Sequence, residues 1–359
     1  MLKLVTLSMA FVIVTGACGS GDQADSQAGE STPLLFGLGM HIEPLGTTAQ
    51  GYRSSVGDYG NRVFFERQVE DILAVAAIVE SHGGAMTVQA QSPFTTTAIK
   101  LEDPILADLA AAGHEIALHF HERAHLGREA ESLAAEEWCS VMIEEIGYVQ
   151  TASGVEYVRS WSGGNLYIDL FKAADCAGLD ITSDWKNPQT QTTAVELMGV
   201  NPWRPSGGTD GSDVSNFAAH DGDAPVVFLP TGIYSTDDSA ASNRSDSTGG
   251  DDAYFEFLED SLMASIEAAQ PGKVNVFSIT VHPAEFAGDR EMPFEVIERF
   301  LAKVIDPLVE SGDVQWATFS DMADAFIDWE AANPNEDPRD SQYGQEVSTP
   351  GVLSRSRKT

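Results

Sequence analysis

Strand-like segments alternate with helical segments along most of this 359-residue chain. Short runs rich in apolar and β-branched residues are typical of buried strands, and apolar residues three and four positions apart are typical of helices. The strand-like runs include LLFGLGMHI, AMTVQAQ, HEIALHFH, APVVFLP and KVNVFSITVHP, and the helical runs include VFFERQVEDILAVAAIVESHGG and SDMADAFIDWEAAN. Such alternation favours an α/β fold with a parallel sheet. About seven or eight strand–helix units predict a closed or nearly closed (β/α) barrel.

Side chains that can carry chemistry lie at the ends of several of these predicted strands. In (β/α) barrels the functional groups collect where the strands end, at the carboxyl face of the barrel. The stretch GHEIALHFHERAH holds four of the eight histidines of the chain. The candidate residues, in chain order, are His41, Glu43, His119, His121, His125, Arg159, Asp184 and His282.

A cluster of imidazoles with a carboxylate predicts a divalent metal ion, with Zn²⁺ as the first expectation. Catalytic zinc sites commonly use three protein ligands and leave one position open to water. Imidazole also binds iron, cobalt and nickel, so the residue types do not identify the metal. A metal ion lowers the pKa of bound water towards ~7 and thereby makes a nucleophile at neutral pH. The pattern therefore indicates a hydrolase.

The charge balance argues against one class of partner. The chain has 20 Lys and Arg against 55 Asp and Glu, which gives a formal net charge of -35. Such a surface repels phosphate backbones and anionic headgroups. We therefore expect no nucleic acid partner, and contact with a membrane only through the N-terminus.

The N-terminus predicts export. Residues 1–17 combine a basic residue, a short apolar run and small residues, which is typical of a secretory signal peptide. The ending Thr15-Gly16-Ala17-Cys18 resembles the bacterial lipobox, which implies cleavage before Cys18 and attachment of lipid to its sulfur. Residues 18–33 then form a polar tether, 34–330 the barrel, and 331–359 a disordered tail. We expect a protein anchored by lipid to a bacterial membrane, in the periplasm or at the cell surface.

The two remaining cysteines, Cys139 and Cys176, both lie in helical segments. In an exported protein they either form a disulfide or remain as two buried thiols. The sequence leaves both alternatives open.

Four segments resemble the polysaccharide deacetylase family. GHEIALH, with a further histidine and the helical SLAAEEW after it, is similar to the second motif of that family, and RSWSGGN is similar to its arginine motif. SDW resembles the Asp-Trp element, and FSITVHPAEF resembles the closing strand with its histidine. These segments occur in the family's order and extend over about 34–329.

The resemblance implies a distorted (β/α) barrel and a metal-dependent hydrolase acting on N-acetylated sugars. It implies that His119 is a metal ligand and that His282 is the general acid. It further implies that Arg159 orients the base and that Asp184 tunes His282.

The chain departs from the family pattern at the first and second motifs. Where the family usually has T-F-D-D-G, with one Asp as base and the next as ligand, this chain has His41-Ile42-Glu43. Either residue of the pair His41 and Glu43 is then the ligand and the other the base; an arginine beside the base slightly favours Glu43 as base, because the two form an ordinary ion pair. Arg123 stands where the second histidine is expected, so either His121 or His125 takes that role.

The function predicted first is removal of N-acetyl groups from a polysaccharide or oligosaccharide. Two alternatives remain: a non-catalytic carbohydrate-binding lipoprotein on the same fold, and an esterase that removes O-acetyl groups. Fold resemblance does not separate these three.

Overall fold

The computed structural model describes residues 32–46, 58–164, 167–183, 194–207, 214–234, 250–283 and 295–339. The predicted signal peptide, Cys18 with nearly all of the tether, Asp184 and the end of the tail lie outside these residues.

The strands form one parallel sheet that curves into a nearly closed barrel. Within the described residues they are β1 (Leu34–His41), β2 (Thr87–Ala90), β3 (Glu115–Phe120), β4 (Ser160–Gly163), β5 (Ile181–Ser183), β6 (Val227–Leu229), β7 (Asn275–Val281) and β8 (Val314–Trp316). Their order is β6-β5-β4-β3-β2-β1-β7, and β8 also pairs with β1. The first residues of β1 pair with β8 and the last with β2, while β7 pairs along nearly the whole of β1. This architecture confirms the predicted barrel.

Helices follow the strands and cover the sheet. They are α1 (Arg62–Ser81), α2 (Phe94–Leu101), α3 (Ile105–Ala111), α4 (Glu122–His125), α5 (Ala135–Ser153), α6 (Leu170–Ala177), α7 (Val214–Ala218), α8 (Gly250–Ala268), α9 (Glu295–Phe300), α10 (Asp306–Ser311) and α11 (Phe319–Ala332). A π-helical turn, Leu301–Ile305, joins α9 to α10. Asn61 caps the N-terminus of helix α1, because its side chain accepts hydrogen bonds from the backbone N–H groups of Val63 and Phe64.

An irregular segment that includes Val200 and Trp203 fills the space between β6 and β7, which are the first and last strands of the order given above. Trp203 forms an antiparallel bridge with Phe228 of β6. Val200 accepts a hydrogen bond of 2.6 Å from the backbone N–H of Val276 in β7. The segment thus satisfies backbone groups on both edges and closes the ring without a further regular strand.

Helix α11 closes the barrel at the amino ends of the strands. Its first residue, Phe319, lies against Gly39 of β1: a Cβ atom on Gly39 would be 2.9 Å from the Phe319 ring. Gly37 is similarly close to Met322 of the same helix. Because alternate residues of a strand share a face, the two glycines face the same side of β1 as His41. The glycines therefore make room for the helix inside the barrel.

A carboxylate fixes the start of this helix. Glu115, the first residue of β3, accepts hydrogen bonds from the hydroxyls of Thr87 (2.8 Å), Ser160 (2.8 Å) and Ser320 (2.7 Å). It also accepts one from the backbone N–H of Ser320 at 3.1 Å. An anionic group is favourable at a helix N-terminus. The end of the barrel at which the strands begin is thus occupied by structural contacts. The end at which the strands finish remains available for a functional site.

Cys139 and Cys176 form a disulfide that joins α5 to α6, with the two Cα atoms 5.8 Å apart. The first of the two alternatives left open by the sequence is therefore the one observed. In the described part of the chain no helix combines the length and the apolar character needed to cross a membrane.

The last described residues pack on the barrel. The guanidinium of Arg339 lies 4.1 Å from the centre of the Trp203 ring. It also donates hydrogen bonds to the backbone carbonyls of Ala218 and Glu196.

Candidate metal centre

Four of the five histidines selected from the sequence converge with Glu43 at the carboxyl ends of three strands. His41 is the last residue of β1, and Glu43 follows it by two positions. His119 lies near the end of β3, with His121 just beyond it, and His282 directly follows β7. Strand β1 lies between β2 and β7 in the sheet, and β3 lies beyond β2. Because the strands are parallel, the carboxyl ends of β1, β3 and β7 lie at the same end of the barrel.

The Glu43 carboxylate is the centre of this cluster. Its Oε2 atom lies 2.7 Å from Nε2 of His121. Its Oε1 atom lies 3.6 Å from Nε2 of His119 and 3.4 Å from Nε2 of His282. One carboxylate therefore faces three imidazoles, two from the end of β3 and one from the end of β7.

His41 packs against the same group of rings. Its imidazole stacks on that of His119, with centroids 4.2 Å apart and an interplanar angle of 22°. It meets the ring of His282 edge-on at 5.2 Å. His41 is only 3% exposed, and its ring is therefore a buried neighbour of two of the imidazoles that face Glu43.

The surroundings fix which of these groups carry charge. Burial raises the pKa of Glu43, but the interactions of its carboxylate with the imidazoles of His119, His121 and His282 more than reverse this and place the pKa well below its usual range. Burial lowers the pKa of His119 to about 4, with Glu43 opposing the shift. Burial also lowers the pKa of His121, but the hydrogen bond and charge of Glu43 outweigh it and raise the pKa overall. At neutral pH the cluster thus offers an ionised carboxylate and a neutral His119, which are the forms that bind metal.

Glu43, His119 and His121 fit a metal ion. One ligand atom from each can be chosen so that all lie within 4.8 Å of one another. Nε2 of His119 is buried and makes no hydrogen bond within the described residues, although it faces the carboxylate. A buried nitrogen without a hydrogen bond is costly unless another partner is present. A divalent ion between the three side chains would supply that partner.

Ser162 fixes the orientation of His119. Its Oγ atom lies 2.7 Å from Nδ1 of His119, and the two residues are paired across β3 and β4. Metal-binding histidines usually engage their second ring nitrogen in this way, which directs the first nitrogen at the ion. The sequence argument did not select Ser162, because the register of β3 against β4 is not visible in the sequence.

His125 faces away from the Glu43 carboxylate. Its Nε2 atom lies 2.7 Å from Oε1 of Gln91, and its Nδ1 atom lies 3.3 Å from Oε1 of Glu145. Both ring nitrogens therefore contact side chains outside the ligand set. Of the two histidines between which the sequence did not decide, His121 is the one that reaches Glu43.

The expectation that Arg159 orients the base needs correction. Strand β4 begins at Ser160, so Arg159 stands before the strand and not at its end. Its guanidinium pairs with Asp180 at 3.0 Å and with Asp324 of α11 at 2.8 Å. These are its only ion pairs in the described ranges, and they lie at the end of the barrel opposite to His41. The argument that an adjacent arginine favours Glu43 as base therefore does not apply.

Asp184, the other residue assigned a supporting role, lies outside the described residues. Its predicted effect on His282 remains a prediction.

Comparisons with known proteins support the fold. No family model and no curated protein matches the sequence. Among solved structures, Puue allantoinase superposes with a TM-score of 0.55 at 16% identity, covering 86% of this chain and 94% of that one. A putative glycoside hydrolase/deacetylase from Parabacteroides distasonis gives 0.51 at 13% identity, covering 84% and 72%.

A putative polysaccharide deacetylase from Mycobacterium smegmatis gives a TM-score of 0.48 at 15% identity, covering 87% of this chain and 98% of that one. Identities this low bear on the fold alone. The chain has the distorted (β/α) barrel of the polysaccharide deacetylase type that its sequence motifs predicted.

Proposed function

We propose that this protein is a metal-dependent hydrolase that removes N-acetyl groups from a polysaccharide or oligosaccharide. The observation that carries the proposal is the Glu43 carboxylate, which faces His119, His121 and His282 at distances of 3.6, 2.7 and 3.4 Å. A half-buried carboxylate among imidazoles at the carboxyl face of a barrel is suited to metal-assisted hydrolysis.

Glu43, His119 and His121 are the proposed ligands, and the proposed ion is Zn²⁺. When bound, such an ion makes water a nucleophile at neutral pH and polarises a substrate carbonyl. His41 does not belong to the group of three residues whose ligand atoms lie within 4.8 Å of one another, although its ring stacks on that of His119. This arrangement favours Glu43 as ligand and His41 as the base.

His41 and His282 have complementary roles in this proposal. A neutral imidazole at His41 accepts a proton from the attacking water, and an imidazolium at His282 gives a proton to the departing amine. Their rings meet edge-on 5.2 Å apart, so both belong to the same cluster, in which Nε2 of His282 lies 3.4 Å from the Glu43 carboxylate. Imidazole suits both roles because its ordinary pKa lies near neutral pH.

The assignment to N-acetylated sugars rests on the motif resemblance and on the barrel. The named structural neighbours include an allantoinase and a putative glycoside hydrolase/deacetylase, and the first of these names refers to a different amide substrate. The test must therefore include more than one substrate class.

The direct test measures bound metal and released acetate on the same preparation. We expect about one Zn²⁺ per chain, and acetate release from chitin oligomers that exceeds release from acetylated xylan and ring opening of allantoin. Glu43→Gln and His119→Ala should lower acetate release by at least about 10²-fold, because each removes a ligand. His220→Gln is the matched control, since His220 contacts the backbone N–H of Arg204 and lies away from the cluster.

Other outcomes of this test would indicate a different function or would contradict the proposed site. Preference for acetylated xylan would establish an O-acetyl esterase. Binding of chitin oligomers without acetate release would establish a non-catalytic carbohydrate-binding protein. Unchanged acetate release in Glu43→Gln would disprove the site.

We further propose that the protein is exported and carries lipid on Cys18. The lipobox-like Thr15–Cys18 segment supports this, and so does the Cys139–Cys176 disulfide, since disulfides persist in oxidising compartments. Mass spectrometry of the mature N-terminus tests it. An unmodified Cys18, or a Cys18→Ser variant that stays in the membrane fraction, would contradict it.

A further inference from the structure

We propose that Gln91 and His125 are positioning residues of the metal centre. Gln91 ties the segment that carries Glu43 to the segment that carries His121, and His125 holds Gln91 in place. This inference rests on the proposed function, because it concerns the same ligands. It assigns His125 a role other than metal binding.

Gln91 connects the two segments through a single amide. Its Nε2 atom donates a hydrogen bond of 3.2 Å to the carbonyl of Ile42, the residue immediately before Glu43. Its Oε1 atom accepts a hydrogen bond of 3.1 Å from the backbone N–H of His121. Gln91 is fully buried, so no water competes for these bonds. The spacing between Glu43 and His121 therefore depends on this amide.

His125 completes the hydrogen bonding of the amide. Its Nε2 atom lies 2.7 Å from Oε1 of Gln91, and because an amide oxygen only accepts, that nitrogen carries the proton. The imidazole stacks on Phe120 with centroids 5.0 Å apart, which restricts rotation of the ring. His125 is one helical turn from His121, which is the N-cap residue of the short helix α4 that ends at His125.

Glu145 of α5 anchors the far side of this network. Its carboxylate lies 3.3 Å from Nδ1 of His125. It accepts hydrogen bonds from the backbone N–H and the hydroxyl of Ser92, at 2.8 and 2.7 Å. Ser92 directly follows Gln91, so the network returns to the residue that it positions. The buried hydrogen bonds of this network restrict the motion of Gln91 and His125.

The amide is the only group type that satisfies both contacts of Gln91. A carboxylate at this position would accept from His121 but would repel the carbonyl of Ile42. An apolar side chain would leave both backbone groups without a partner. Residues that orient metal ligands typically change metal affinity by about 10–100-fold when replaced.

The test compares metal binding by full-length variants. Gln91→Glu and Gln91→Met keep the side-chain length, and His125→Gln keeps a hydrogen-bond donor. We expect Zn²⁺ affinity to fall by about 10–100-fold in Gln91→Glu and Gln91→Met, with one ion still bound at saturation. The visible absorption bands of bound Co²⁺ should also shift, because these bands report ligand geometry.

His114→Gln is the matched control. His114 is also buried, accepts a hydrogen bond from the backbone N–H of Met86 at 3.1 Å, and faces Glu80 at 3.1 Å. It stands just before β3, away from the Glu43 carboxylate. We expect a similar loss of thermal stability in His114→Gln and His125→Gln, with weaker metal binding and altered Co²⁺ bands in His125→Gln alone.

The outcomes separate this inference from the proposed function. Absence of metal binding by the unmodified protein overturns the proposed function. Normal binding by the unmodified protein together with unchanged affinity and Co²⁺ bands in both Gln91 variants overturns this inference alone. Complete loss of bound metal in His125→Gln, as in His121→Ala, would make His125 a ligand and would also overturn it.

Discussion

At the scale of single residues, the chemistry of the site depends on contacts that residue type does not reveal. Serine is common in strands, yet Ser162 is fully buried and its hydroxyl lies 2.7 Å from Nδ1 of His119. Without this contact the imidazole could rotate, and Nε2 would no longer be held towards Glu43. Ser162 therefore belongs to the site as much as the ligands do.

We predict that Ser162→Ala lowers Zn²⁺ affinity by about 10-fold or more, because His119 loses the group that orients it. Competition with a chromogenic chelator measures this. Ser160→Ala is the control, since Ser160 lies on the same strand but bonds to Glu115 at the other end of the barrel. Equal metal affinity in the two variants would show that Ser162 does not orient the ligand.

A second residue makes folding stability depend on pH. Asp71 of α1 is partly buried, and its Oδ2 atom makes no hydrogen bond in the part of the chain that the structure describes. Burial raises its pKa to about 6, Arg67 opposes the shift and Glu70 adds to it. A carboxyl group whose pKa is raised in the folded state opposes folding above that pKa and has no such effect below its unfolded value.

We therefore predict that Asp71→Asn raises the free energy of unfolding at pH 7 to 8 by roughly 1 kcal/mol. A shift of about two units corresponds to at most ~3 kcal/mol, and solvent screening at a partly exposed position reduces it. The gain should disappear as the pH falls from 6 to 4. Urea unfolding at several pH values measures it, and a gain independent of pH would contradict the explanation.

At the scale of elements, strand ends decide which face of the barrel a side chain occupies. The sequence correctly placed His41, His119 and His282 at carboxyl ends, because their strands end in clear breaks of the apolar pattern. It placed Arg159 at such an end as well, but β4 begins at Ser160. An error of a few residues in the predicted boundary of β4 therefore placed Arg159 at the wrong end of the barrel. The two ends of a strand lie at opposite ends of the barrel.

Helix α11 gives the prediction that belongs to this scale. A methyl group on Gly39 would approach the Phe319 ring to 2.9 Å, closer than normal packing allows. We predict that Gly39→Ala lowers the free energy of unfolding by about 1–3 kcal/mol, the usual cost of overpacking. The loss should be smaller when Gly39→Ala is made in a Phe319→Leu background, because the shorter side chain leaves space. Urea unfolding of both single variants and the double variant measures this coupling, and strictly additive effects would show that the two residues do not press on each other.

At the scale of the whole molecule, a disulfide between two helices adds to the stability of the barrel. The Cys139–Cys176 bond spans 37 residues and joins two helices on the outside of the sheet. Such a link mainly restricts the unfolded chain.

We predict that replacing both cysteines by alanine lowers the free energy of unfolding by about 4 kcal/mol, the value expected for a loop of this length. Zn²⁺ affinity should remain unchanged, because neither cysteine contacts the ligands. Denaturant unfolding and metal titration measure the two effects separately. Unchanged stability would mean that the unfolded chain is not restricted by the bond.

The sequence by itself determined the barrel, the strand ends that carry imidazoles and the presence of a carboxylate among them. It could do so because strand and helix periodicity is local, and because the carboxyl ends of parallel strands always share one face. Only the tertiary structure decided that His121 faces Glu43 while His125 faces Gln91 and Glu145, and that Ser162 orients His119. These contacts join residues 34 to 78 positions apart in three of the four cases. Such pairings are set by strand register and helix packing, which no local pattern encodes.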